Sequence, residues 1–281
     1  MVYQNSYHKQ RIKICQNGAT QPFLSNNWAV YFLYKDHSLR LLSNMEKIYI
    51  SIKNLSKIFV NPSKLWPNQQ EKRGFAEIDQ KVTGAQSATP ILNFNLTVKK
   101  PEIVGIVGSK NSGKTTFFKL CLGFIQPTSG TINILGFQPY QRRQQFLYQI
   151  GFVNGNKYTS NINLTAKDSL LLSGYLYNLS SPTVLDRIDK LAQDFEFEDY
   201  LNVAINQFST VEKIKFEIMT ALLHSPKILF MDDVLSDLSQ ADLAKIQKLV
   251  KKYFEEENIC MVVTSQKQET VESISHQIIN I

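Results

Sequence analysis

The run GSKNSGKTT, Gly108 to Thr116, is a complete GxxxxGKT pattern, and its residue types suit a polyphosphate. Gly108 and Gly113 let the main chain bend around negative charge, so that N–H groups from Ser109, Lys110, Asn111 and Ser112 onward point at it. Lys114 adds a point charge at the β/γ end, Thr115 brings a hydroxyl for Mg²⁺, and Thr116 carries the cradle into the next helix. A second stretch, KILFMDDVLSDLS from Lys227 to Ser239, runs an apolar segment straight into Asp232 and Asp233. A buried strand delivers carboxylates to a site in this way, and Asp232 is placed to hold Mg²⁺ through its bound water. GTPases share this much, but the nearest imitation of their guanine-reading NKxD element, NKYT at Asn156, has threonine where the aspartate belongs.

The elements around these residues must form a sheet that ends at the site. IVGIVG (103 to 108) reads as a buried strand and Gly113 to Leu122 as a helix, with GxxxxGKT between them, the context that distinguishes a phosphate loop from an ordinary turn. TINILG, a polar helix around Tyr140 to Tyr148, and the strand IGFV (150 to 153) follow. The chain finishes with a helix from Val211 to His224 and the strands KILFMDD and ICMVVTS. Short apolar runs alternating with helices imply a mostly parallel sheet covered on both faces. Between Asn156 and Gln207 only helical periods remain, with Thr165 and Ser181 as N-caps and Pro182 as a first helical residue, so a helical lobe is inserted into the α/β core.

Upstream, IYISIKNLSKIF and ILNFNLTVKK alternate like strands, and the polar stretch from Asn61 to about Ala88 between them reads as a long loop. Residues 1–44 carry no sustained period and are expected to be a dispensable extension. The chain ends in the strand IINI, and no further regulatory domain is expected. With 281 residues, 43% of them hydrophobic, a full core is available. The net charge of +7 fits an anionic partner or a merely basic surface, since the excess is spread along the chain. Cys15, Cys121 and Cys260 share no metal-ligand spacing. No apolar run approaches the roughly 18 residues of a membrane helix, so a span would have to come from another chain.

Several segments resemble one family, the nucleotide-binding subunits of ABC transporters. GFIQPTSGTINILGFQP (123 to 139) and QFSTVEKIKFEIMTALLHSPKILFMDDVLSDLS (207 to 239) follow the family pattern without a gap, and LSKIF (55 to 59) and VVTSQ (262 to 266) flank them. The resemblance covers roughly Met45 to Ile281 and is strongest to an exporter-like branch. It implies a P-loop NTPase fold: a RecA-like parallel-sheet core, an antiparallel β subdomain and an inserted helical subdomain at about 157–207. The implied cofactors are ATP and Mg²⁺, and the implied partners are a separate transmembrane permease subunit and a second ATP-binding subunit, the same or a sibling. Nucleic acid is not an expected partner, because the chain has neither a second cassette nor a long coiled coil between the motifs.

Carried over by position, Phe59 stacks on adenine, with strand packing as the lesser alternative, and Asn156 takes the place of the glutamine that touches Mg²⁺. Asp233 stands where a glutamate orients the attacking water, unless it is simply a solvated acid after the strand. Gln266 replaces the switch histidine, and Ser239 an aspartate. In the signature FSTVE, Ser209 is kept to face the partner's nucleotide, Val211 replaces a glycine, and Glu212 replaces a neutral glutamine. Asp233 is one methylene short, and a misplacement near 1 Å can cost on the order of 100-fold in rate. Weak ATP hydrolysis at the inner face of a membrane is the expectation that follows. The alternatives are a regulatory subunit that binds ATP without turnover and, behind it, a soluble ABC-type ATPase acting on nucleic acid. His224 reads as a turn or cap residue, and Cys121 and Cys260 as buried small hydrophobes.

Overall fold

The computed structural model describes residues 48–59, 90–155, 163–236 and 238–281. The expected extension at 1–44, the loop from Asn61 to Ala88 and Cys15 lie outside them, as does Asn156. Along the chain, β1 (Ile50–Lys57), β2 (Ile91–Val98) and β3 (Ile103–Val107) precede α1 (Lys114–Cys121) and β4 (Ser129–Ile134). A 3-10 turn at Pro139–Gln141, α2 (Gln144–Leu147) and β5 (Ile150–Asn154) come next. Then α3 (Ala166–Leu176), α4 (Ser181–Asp194) and α5 (Thr210–Leu222) lead to β6 (Ile228–Asp232), followed by α6 (Gln240–Glu257), β7 (Cys260–Ser265), α7 (Gln268–Glu272) and β8 (Gln277–Asn280).

Two sheets result. The alternating strands β1, β2 and β4 pair antiparallel in the order β2-β1-β4. The uniformly apolar strands pair parallel in the order β5-β6-β7-β3-β8. Every residue of β3, β6 and β7 is buried, as expected of strands covered on both faces. The register sets Val107 beside Ser265 and Asn154 beside Asp232, which brings the carboxyl ends of β3, β7, β6 and β5 to one rim. Ligands of open α/β sheets bind at such a rim.

One core cluster joins β1, β2, β4 and α1 to one face of the parallel sheet, through Ile52, Leu96, Phe117, Phe118 and Phe230. The other joins α3, α4, α5 and α6 to the opposite face, through Leu170, Ile188, Phe216, Leu229 and Val250. On α5 the expected inward face, Ile214, Phe216, Ile218, Met219 and Leu222, is buried, as is Leu223 just beyond it. Each such side chain contributes roughly 1.5–3 kcal/mol. Cys121 and Cys260 are buried in the first cluster, with α1 and the antiparallel strands.

Two local expectations need correction. The helix around Tyr140 to Tyr148 is instead the 3-10 turn and the short α2, separated at Arg142, which is left-handed (φ 46°) and sets its guanidinium 5.1 Å from the Phe124 ring centroid. Only Pro139 and Phe146 of those two short elements are buried, too little apolar surface to hold one longer helix together. At α4 the start lies one residue earlier: Ser180 flanks the helix, Ser181 begins it and Pro182 is second, since proline is tolerated throughout a first turn whose N–H groups have no intrahelical partner. Thr165 does cap α3, its hydroxyl oxygen accepting the Asp168 N–H. Among the described residues, no helix is long and apolar enough to cross a membrane.

Candidate nucleotide-binding site

The phosphate loop leaves β3 at its carboxyl end. The Gly108 N–H donates to the Ser265 carbonyl at 3.2 Å, and Ser112 N–H donates to Ser109 O at 3.2 Å. Asn111 and Gly113 adopt left-handed conformations, φ 66° and 109°. At Gly113 a Cβ would be strained by that φ and would also press on Ile91 Cγ1 at 3.1 Å. α1 starts with no side-chain cap and no acidic residue in its first turn, which leaves its N-terminal N–H groups and positive dipole end for an anion.

Lys114 is 6% exposed, and its Nζ donates to Gly108 O at 2.6 Å and Ser109 O at 2.7 Å. Ser112 Oγ is buried with no hydrogen-bond partner. An ammonium folded onto its own loop's carbonyls and a buried hydroxyl with no partner fit a phosphate group. Lys114, Ser112 and the α1 terminus would hold that group, while Thr115 and Asp232 would hold the cation that neutralises its charge. Burial lowers the Lys114 pKa, opposed by Asp233 and Asp232.

Asp232 is buried at the end of β6. Thr264 Oγ1 donates to its Oδ1 at 2.9 Å. Burial holds the Asp232 carboxyl above the usual carboxylate range, against hydrogen bonds from Thr264 and Thr115, with Asp233 adding to the rise and Lys114 opposing it. Asp233 is left-handed (φ 53°), and its N–H donates to the same Thr264 oxygen at 2.9 Å. Its Oδ1 accepts the Ser236 hydroxyl, and its Oδ2 accepts Gln266 Nε2 at 2.8 Å. Thr264 and Ser236 were not singled out from the sequence. The available signal was a Thr-Ser pair closing a buried apolar strand in VVTSQ, the same pattern that marked Asp232.

The structure therefore brings Gly108 to Thr116, Asp232, Asp233 and Gln266 to one rim. The segment leading to Asn156 reaches it as well: Gly155 N–H donates to Asp232 O at 3.2 Å. A Cβ on Gly155 would stand 2.6 Å from Val234 Cα and 2.8 Å from Asp233 O, so only glycine allows this close passage. Phe59 is half-buried just beyond β1, where Lys57 pairs with Ile91, the neighbour of Gly113. Its ring packs against the β-sheet core, with Lys57 Nζ 5.3 Å from the centroid.

Ser209 is engaged by its own helix. Its N–H donates to Glu212 Oε2 at 2.6 Å and its Oγ accepts the Glu212 N–H at 3.4 Å, a capping box at the start of α5. Val211 packs against the helical core, and Ser239 caps α6 by accepting the Asp242 N–H at 3.2 Å. His224, in the turn after α5, places Nε2 2.9 Å from Ile150 O and stacks on Tyr177 with ring centroids 3.9 Å apart.

Residues 91–236 match the family model described as ABC transporter. The chain is 31% identical over 148 residues to the ABC transporter ATP-binding protein NatA of Bacillus subtilis, covering 53% of this chain and 60% of that protein. It is 28% identical over 195 residues to the bacitracin transport ATP-binding protein BcrA of Bacillus licheniformis, covering 69% and 61%. The chain thus spans about three fifths of the length of these curated relatives. Among solved structures, cbiO1 of Clostridium perfringens, part of the ABC transporter complex cbiONQ, superposes with a TM-score of 0.66 at 17% identity, covering 84% of this chain and 85% of that one. The fold is that of a P-loop NTPase, with a separate antiparallel sheet and helices between β5 and β6, and the chain belongs to the ABC transporter family.

Proposed function

We propose that this chain is the ATP-binding subunit of a membrane exporter, binding Mg–ATP at the phosphate loop and hydrolysing it slowly. Its work would drive transport through a separate transmembrane permease, at the inner face of the membrane, beside a second ATP-binding subunit. One observation carries the reading: buried Lys114 and the uncapped start of α1 lie at one rim with Thr115 and Asp232. The nucleotide-binding domain would span 45–281, with a helical subdomain at about 157–207 and residues 1–44 as an extension. Phe59 would lie against the base, Asn156 near the cation, and Ser209 toward the partner's nucleotide. The exporter direction rests on the resemblance around Gly155 and Asn156.

A second reading, a regulatory subunit that binds ATP without turnover, is favoured by the engagement of both Asp233 oxygens by Ser236 and Gln266. The test is purification from native membranes, identification of the accompanying membrane protein, and measurement of Mg–ATP binding and phosphate release. Binding with turnover well below about 1 s⁻¹ is expected, in the slow range for enzymes. Turnover at or above that rate would overturn the slow-hydrolysis reading, and binding without any turnover would establish the regulatory one.

A further inference from the structure

The Asp233 carboxylate is fixed more tightly than its position at the end of a strand requires. Its main chain is tied through N–H to Thr264 Oγ1, which is itself tied to Asp232, so the residue cannot swing as a unit. Its Oδ1 is committed to the Ser236 hydroxyl, which lies within the same turn. Its Oδ2 accepts Gln266 Nε2 at 2.8 Å from the residue that follows β7. A carboxylate only accepts, so it must be the NH₂ end of the amide that faces it. Gln266 itself is exposed, so the core does not need this side chain, and its bond to Asp233 is charge-assisted.

We propose that Gln266 is a latch on Asp233: its amide occupies the carboxylate oxygen that an attacking water needs, so this residue restrains hydrolysis instead of assisting it. This rests on the nucleotide reading above. In hydrolysis the water oxygen bonds to the terminal phosphorus, the bridging P–O bond breaks with its electron pair going to the diphosphate, and the water proton needs an acceptor. Asp233 is the carboxylate at hand. With Oδ1 held within its own turn, Oδ2 is the oxygen left to receive water, and Gln266 competes for it directly. Glutamine is thereby a positioning residue that acts through Asp233 and holds it in a resting orientation.

The experiment uses the full chain, with Gln266→Met, which is nearly isosteric but has no donor, and Gln266→Ala. Phosphate release is measured across ATP concentration with Mg²⁺, and Mg–ATP binding is measured separately by calorimetry. Both variants should raise kcat by about 10- to 100-fold with KM unchanged, the effect of losing one hydrogen bond to a charged group. A kcat that falls or stays level while binding is retained would overturn the latch and leave the nucleotide reading standing. Failure of the wild-type chain to bind Mg–ATP would overturn that reading and the latch with it.

Discussion

Helices α1 and α5 begin with the same physical problem, a first turn of N–H groups without intrahelical partners, and resolve it in opposite ways. Before α1 stands Gly113, left-handed and without a side chain, and no acid follows in the first turn. At α5, Ser209 and Glu212 bond each other's main chain, and Glu212 sets a carboxylate against the positive end of the helix. Burial would raise the Glu212 pKa, but bonds from Ser209 and Tyr200 outweigh it and hold the carboxyl below its ordinary value. A helix terminus can receive an external anion only where the sequence withholds a cap. The four residues Gly-Lys-Thr-Thr at one end and Ser-Thr-Val-Glu at the other state that difference.

The sharpest way to break the contrast is to remove the cation beside the open terminus. Lys114→Ala should weaken Mg–ATP binding by about 4 kcal/mol, near 1,000-fold, read by calorimetry. An unchanged affinity would mean that the start of α1 is not where the phosphates bind.

The far side of α5 offers the next test, because it concerns stability rather than ligand. Burial pushes the His224 pKa down to about 4, against its bond to Ile150 and aided by Arg187. The fold therefore prefers neutral imidazole, while the unfolded chain titrates near 6.5. This contribution is complete above pH 6.5 and is lost as pH falls through 4, a loss of about 3 kcal/mol across that window. Urea unfolding at pH 7 and pH 4 measures it, and His224→Gln should flatten the slope. An identical slope in the variant would assign the pH dependence to other groups.

The smallest effect belongs to the closed terminus itself. Glu212→Ala should cost about 1 kcal/mol of stability, whereas Glu212→Gln should recover most of it, since glutamine also completes a capping box. Thermal unfolding distinguishes the two variants, and equal losses would show that the bond to Ser209 contributes nothing.

The phosphate loop was legible because everything it needs is local: an apolar run, glycines at fixed spacing and a helix that follows at once. The Thr165 cap and the buried face of α5 were legible for the same reason. α6 was missed although its inward stripe of Ile246, Leu249, Val250, Tyr253 and Phe254 keeps the helical period, with Lys245, Lys248, Lys251 and Lys252 on the exposed face. The partners of Asp233, by contrast, were hidden. Gln266 is 33 positions away and Thr264 is 31, joined to it only because β6 lies beside β7 in the sheet. Strand order and register are long-range facts that neither composition nor spacing records.

Neighbouring residues of β6 belong to different halves of the interior. Ile228 and Phe230 pack with the antiparallel strands and α1, while Leu229 and Met231 pack with the helices on the other face. The parallel sheet is therefore a bulkhead, and substitutions whose side chains lie on opposite faces without shared partners should add without coupling. In evolutionary terms, a lineage can remodel the compartment holding α3, α4 and α5 while keeping the one that carries α1 and the phosphate loop. Heritable variation on one side of five strands need not be repaired on the other.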